Sequence, residues 1–234
     1  MASYRSRPHE EAPQALSIAA AATGAQGRHA EALDAYDELL PVFGRIFGTE
    51  HPQTLRLRSN RAQTLAVLSR HTECEAECAA LAQAAARGRG PAMPLVAAAA
   101  QNGLIYALNG QGRHPEAEAL ACEALAAQRV PDRFTLALRL GLARSLNGQT
   151  RYEEALAEVE RADELRRSLP EEQRRPEAGA VELAMATSLL GLGRGAEART
   201  RAEAAHDSCL AVFGPDHHRT VEARALLDRI IDGA

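Results

Sequence analysis

Three places in the chain carry residue types that could do chemistry. His71, Cys74 and Cys78 stand at i, i+3 and i+7, a spacing that would present an imidazole and two thiols from one helix to a zinc ion. The stretch "PDHH", residues 215–218, gathers Asp216, His217 and His218, donors that the same metal accepts. The stretch "NGQGR", residues 109–113, has the Gly-x-Gly core of a phosphate-cradling turn. Such a turn works between a strand and a helix, and no strand pattern precedes it. No Ser/His/Asp or Cys/His arrangement comes with a supporting local signature, so the sequence predicts neither an enzyme nor a cofactor.

Composition bounds the elements that must hold these residues. The 234 residues are 46% hydrophobic and 3% aromatic, without a tryptophan, and the apolar share is mostly Ala and Leu, which lose little side-chain freedom in a helix. An all-α chain is therefore expected. All 27 basic residues are Arg, a usage that fits the codon bias of a GC-rich bacterial genome. The net charge of −4 argues against nucleic acid as a partner, because a phosphate-backbone binder carries a basic face. The first apolar run, "ALSIAAAA", is too short for an export signal, and nothing reaches the length of a membrane span. Cys74, Cys78, Cys122 and Cys209 lie within helical patterns and read as free thiols. The expected location is the cytoplasm.

Internal repetition organises the chain. A motif of a small residue, Arg, two variable residues, Glu and a second small residue occurs five times: "GRHAEA" at 27–32, "SRHTEC" at 69–74, "GRHPEA" at 112–117, "TRYEEA" at 150–155 and "GRGAEA" at 193–198. Each lies between two helix-like segments, the second with small or apolar residues every three or four positions. Each unit is therefore a helical hairpin. Gly110, Gly148 and Gly191 are expected to end the first helices in the left-handed conformation that favours Gly. Pro115, Glu116, Glu153, Glu154 and Glu197 fall where the second helix opens, beside its positive dipole end. Ala32, Cys74, Ala117, Ala155 and Ala198 fall where the two helices approach closely.

These motifs resemble the tetratricopeptide repeat (TPR) family, in the long-period form of kinesin light chains and bacterial regulatory proteins. The resemblance also rests on Ala20, Ala62, Ala143 and Ala186, twelve positions before each motif's last residue, and on two similar linkers, "FGTEHPQTL" at 47–55 and "FGPDHHRTV" at 213–221. The third repeat departs from it with Ile105 at the small position, and Cys78, Ala121, Val159 and Ala202 stand where the first repeat has an aromatic, Tyr36. The resemblance makes Cys74 and Cys78 packing thiols and "PDHH" an inter-repeat linker, so no metal site is expected. It implies a right-handed α-solenoid of about five hairpins, near 13–47, 54–90, 94–130, 132–170 and 176–213, closed by a cap helix at 219–232. A disordered tail at 1–12 would precede the single domain, 13–234, and the Gly- and Pro-containing stretch at 86–95 is a candidate bend.

In the family, the first helix of each hairpin lines a concave groove that holds an extended peptide or a partner helix. Carried onto this chain, the pattern points Arg56, Ser59, Asn60 and Gln63 into the groove, then Asn102, Tyr106 and Asn109, then Arg144 and Asn147, then Thr187. The resemblance thus implies a non-catalytic adaptor for a protein or peptide partner. A stand-alone sensor of a small peptide or metabolite and an accessory subunit of an enzyme complex are the alternatives, with the oligomeric state open. Fold does not choose among them.

Overall fold

A computed structural model describes residues 8–232. Among the described residues there are twelve α-helices, a short 3-10 turn and no strand. The chain divides into two compact units, Met1–Gly103 and Leu104–Ala234, and the division falls within the first helix of the third hairpin.

The first unit holds α1 (Pro8–Ala25), α2 (His29–Ile46), α3 (Pro52–Val67), α4 (His71–Arg87) and the opening turns of α5 (Met93–Gly110). Helix α1 starts before the expected repeat boundary, so residues 8–12 are helical; the rest of the expected tail lies outside the described residues. In this unit α2 packs against α1 and α3, and α3 against α4. Ala20, Ala32, Tyr36, Leu39, Phe43 and Leu57 form a core. The second unit holds the end of α5, then α6 (His114–Ala127), α7 (Arg133–Gly148), α8 (Tyr152–Ser168), α9 (Glu171–Arg174), a 3-10 turn (Arg175–Glu177), α10 (Ala180–Gly191), α11 (Gly195–Phe213) and α12 (His218–Asp232). Here each long helix from α6 to α12 packs against the next. Both units are all-α stacks of hairpins, the solenoid construction expected from the repeats.

All five motifs fold alike. Their first residues, Gly27, Ser69, Gly112, Thr150 and Gly193, have φ of 83°, 57°, 74°, 60° and 73°. The following N–H closes the preceding helix, as when Arg113 N donates to Leu108 O at 2.9 Å and Arg151 N to Leu146 O at 3.0 Å, the Schellman pattern. The left-handed position is thus two residues beyond Gly110, Gly148 and Gly191, which correct to the last residues of their helices; at Gly148 and Gly191 the need is for space. A Cβ on Gly148 would lie 2.3 Å from the His114 ring, and one on Gly191 would lie 2.3 Å from the Tyr152 ring. Each glycine lets the ring that opens one hairpin's second helix lie on the next hairpin.

The motif arginine stands at the residue before the second helix without capping it through its side chain, and its guanidinium grips the motif glutamate three residues on. Arg70 reaches Glu73 at 2.6 Å through both nitrogens, and Arg151 reaches Glu154 at 2.7 Å through both; Arg28–Glu31, Arg113–Glu116 and Arg194–Glu197 repeat the arrangement. The guanidinium's hydrogen bond holds each of these carboxyls below the usual range. These pairs are exposed, so they orient the turn more than they stabilise it. Ser69 and Thr150 adopt the left-handed conformation with a side chain, which costs roughly 1–2 kcal/mol relative to an unstrained residue. Thr150→Gly should therefore raise stability by a few tenths to about 1 kcal/mol, read by thermal unfolding. A lower midpoint would mean that the threonine contributes more than it strains.

The motif's last residue is the packing point. Ala32, Cys74, Ala117, Ala155 and Ala198 are all 0% exposed. Their partners in the first helices, Ala20, Ala62, Ile105, Ala143 and Ala186, are at most 3% exposed. Ile105 fits because Gly141 on α7 faces it: a Cβ there would come within 2.8 Å of the isoleucine Cγ2. Cys78 fits in the same way against Gly103, whose Cβ would lie 2.4 Å from the sulfur.

The two similar linkers are structural twins. Thr54 Oγ1 donates to Gly48 O at 2.7 Å, and Thr220 Oγ1 to Gly214 O at 2.8 Å. His51 Nδ1 accepts from Gln53 N and His217 Nδ1 from Arg219 N, while their rings stack on Phe47 and Phe213. His217 thus serves as a helix cap.

Candidate functional site

In the first unit the candidates on α3 separate by exposure. Arg56 and Gln63 are exposed and stand seven residues apart, on one face of the helix. Ser59 is half-buried and its hydroxyl donates to its own helix, at Leu55 O. Asn60 hydrogen-bonds the hydroxyl of Tyr36, whose ionisation burial pushes up. Arg58 and Arg61 are held by Glu77 and Asp37. Asn102 lies half-buried on α5.

In the second unit, Tyr106 at the end of α5 is half-buried, and the Arg144 guanidinium on α7 lies 5.0 Å from its ring centroid. Arg144 Nη2 also stands 3.4 Å from Glu222 Oε1 on α12. Three residues further along α7, Asn147 is half-buried and its Oδ1 has no hydrogen-bond partner. Thr187 on α10 is half-buried and donates to Leu183 O at 2.9 Å.

Asn109 does not belong to this face. It is 6% exposed, its Nδ2 donates to Gly141 O at 3.1 Å and its Oδ1 pairs with His114 Nδ1 at 3.0 Å. It is a strut between the third and fourth hairpins. Its counterpart Asn147 differs for a reason visible in the sequence: five residues on stands Tyr152 in place of a histidine, and no ring nitrogen is there to meet Oδ1.

Sequence reasoning missed Glu222. The signal was present: the two linkers are 166 residues apart, which puts Glu222 of α12 in the register of Arg56 of α3. The cap helix therefore continues the series of first helices and adds a carboxylate to their face.

The other candidate chemistry resolves into packing. Cys74 and Cys78 are 0% and 2% exposed, with their sulfurs 4.0 Å apart and Cys74 Sγ 3.9 Å from Gly103 O. The neighbouring thiol and burial push the Cys78 thiol up, away from the thiolate a metal requires. Among the described residues no group of three His, Cys, Asp or Glu is arranged to hold a metal.

Two open clefts lie between second helices and their neighbours. One, of about 300 Å³, is lined by Glu118, Cys122, Leu142 and Arg151. The other, of about 340 Å³, is lined by Asp163, Arg167, Met185 and Arg194. Several of their charges are already matched: Glu118 takes Gln149 at 2.7 Å and Arg151 at 2.8 Å, which hold its carboxyl low, and Asp163 takes Arg166 and Arg167. What the first-helix face offers is a guanidinium on an aromatic ring, amides and exposed polar side chains, groups suited to carboxylates and peptide bonds.

Stacked hairpins with a polar face along their first helices define the class: a helical-repeat module. Tetratricopeptide repeat models match residues 11–75 and 183–219, so the chain carries tetratricopeptide repeats in those two stretches. No curated protein matches it. Among solved structures it is similar to Bacillus thuringiensis PlcR in complex with the peptide PapR7 and DNA, at a TM-score of 0.69 and 16% identity over 97% of this chain and 76% of that one. It is also similar to the nearly identical TPR-like repeats of a kinesin-light-chain type protein from Podosopora anserina, at a TM-score of 0.58 and 19% identity over 88% of this chain and 98% of that one. A singly substituted form of the latter gives a TM-score of 0.60 at the same identity and coverage. These likenesses bear on the fold. No described helix is long and apolar enough to cross a membrane.

Proposed function

We propose that the chain is a non-catalytic binding module that receives an extended peptide, or a peptide segment of a partner protein, along the first-helix face of its second unit. The observation that carries this reading is the set Tyr106, Arg144, Asn147 and Thr187, contributed by three consecutive first helices. Its members are partly exposed, and Arg144 is held by a cation–π contact and one long ion pair. Arg56 and Gln63 give the first unit a smaller polar face of the same kind. The peptide in the PlcR complex supports the sensor form of this reading, in which a free peptide is the ligand. The net charge of −4 weighs against DNA as a partner of these repeats, and four unpaired cysteines suit a cytoplasmic location.

The test is a heptapeptide array probed with the wild type and with Tyr106→Ala/Arg144→Ala. Sequences that bind the wild type should lose at least about tenfold in affinity, the equivalent of about 1.4 kcal/mol, with thermal unfolding unchanged. Equal binding by the folded double variant would place the ligand on another surface.

A further inference from the structure

We infer that Glu222 is an internal occupant of the anion position on Arg144, and that the second unit's face binds a ligand carboxylate by exchanging it for the Glu222 carboxylate. The ligand class is a peptide that offers a carboxylate, at its C-terminus or on an acidic side chain. The inference rests on the peptide-binding reading above and adds to it the chemical group recognised and a competitor built into the chain.

Arg144 is prepared for an anion. The guanidinium carbon lies over the Tyr106 ring, 5.0 Å from its centroid, a cation–π contact that leaves the edges of the fork open, and a planar guanidinium matches a carboxylate through two parallel hydrogen bonds. Glu222 uses only part of that capacity. A single contact of 3.4 Å joins them, whereas Arg58–Glu77, Arg139–Glu158 and Arg219–Glu177 are closer, at 2.6 Å, 2.8 Å and 2.9 Å. Both side chains are also nearly half exposed, at 44% and 47%, while Glu77, Glu158 and Glu177 are 13–17% exposed. A long, wet, one-point pair parts at little cost.

The pair's path across the fold explains why it exists. Arg144 and Glu222 are 78 residues apart and lie on α7 and α12, with α10 between them in the order of first helices. On α10 the residue in the register of Arg144 is Thr187, short and hydrogen-bonded to its own helix. No side chain of α10 therefore supplies Arg144 with a counter-charge, and the cap helix does so from beyond it. A ligand lying along these helices meets the pair in its path, and a carboxylate delivered there can take both guanidinium edges that Glu222 leaves half used.

The test compares wild type, Glu222→Gln, Glu222→Asp and Arg144→Gln on heptapeptides synthesised in three forms: free C-terminal acid, C-terminal amide, and amide with one internal Asp. With the competitor removed, apparent affinity rises by the inverse of the fraction of time the site stands open. Glu222→Gln should thus tighten carboxylate-bearing peptides about three- to tenfold and leave the neutral amides unchanged. Arg144→Gln should abolish the preference for acids, and Glu222→Asp, with a shorter reach, should fall between wild type and Gln. Preference for the free acid alone assigns the ligand group to a chain terminus; equal preference for the internal Asp assigns it to any peptide carboxylate. If acids and amides bind equally, or if Glu222→Gln weakens acids or leaves them unchanged, the inference falls while the peptide-binding face stands. If no peptide binds in any form, both fall.

Discussion

Gly179→Ala should lower the thermal midpoint by roughly 5–15 °C, the shift that about 2–5 kcal/mol produces in a chain of this size. Two costs combine in that estimate. Gly179 precedes α10 at φ 72°, where an L side chain costs about 1–2 kcal/mol. An added Cβ would also lie 2.3 Å from Cys209 Sγ and 2.7 Å from Ala205 O. The sulfur can rotate, but the carbonyl belongs to the backbone of α11 and moves only with its helix, so the steric part resembles overpacking of a core, about 1–3 kcal/mol.

Two controls make the cause visible. Adding Cys209→Ala removes the sulfur clash and leaves the carbonyl clash and the backbone strain, so more than half of the loss should persist. Because repeats depend on their nearest neighbours, hydrogen exchange should speed up chiefly in α10, α11 and α12 and much less in α6. An unchanged midpoint, or uniform loosening of the whole second unit, would show that the turn before α10 relaxes without involving α11.

Ile105→Ala should destabilise by about 2–5 kcal/mol, the usual cost of emptying a fully buried aliphatic site. Its more informative use is in combination. Gly141→Ala alone forces a methyl to within 2.8 Å of Ile105 Cγ2 and should cost about 1–3 kcal/mol. In the double variant the new methyl occupies space that the isoleucine has left. Its cost should be smaller than the sum of the single costs by about 1–2 kcal/mol, a coupling of the size found between residues in contact. Denaturant unfolding of the four proteins measures it. Additive effects would mean that the two residues do not share a packing site, and the large residue in the third repeat would need another account.

The Ile105 site shows how far the sequence could be read. The repeat period and the small positions were legible, since Ala20, Ala62, Ala143 and Ala186 must stay small for two helices to approach, and an isoleucine in that series marked the third hairpin as irregular. Its compensation was not legible, because Gly141 lies on the next hairpin and nothing local to either residue links them. The turn glycines carry the same lesson. Gly148 and Gly191 look like helix stops in one dimension, yet the residues at positive φ are Thr150 and Gly193, and the earlier glycines serve rings that arrive from the preceding hairpin.

Among the candidate binding residues, register alone put Asn109 and Asn147 in one category. A single difference five residues downstream, His114 against Tyr152, separates them: one amide is consumed as an inter-hairpin strut and the other keeps an unmatched oxygen. Asn60 was lost to the face in a similar way, to the hydroxyl of a buried tyrosine.

The sequence by itself determined the hairpin unit and its recurrence, because each motif acts within a few residues: an acidic residue opens the second helix and a small side chain lets the two helices approach. Tertiary structure alone decided which polar residues remain available. Arg58, Arg61, Asn60 and Asn109 are bound by neighbouring helices, while Arg144 meets a ring from α5 and a carboxylate from α12. Those pairings depend on how one hairpin is set against the next, and that geometry is the sum of many weak contacts that no short stretch of chain encodes.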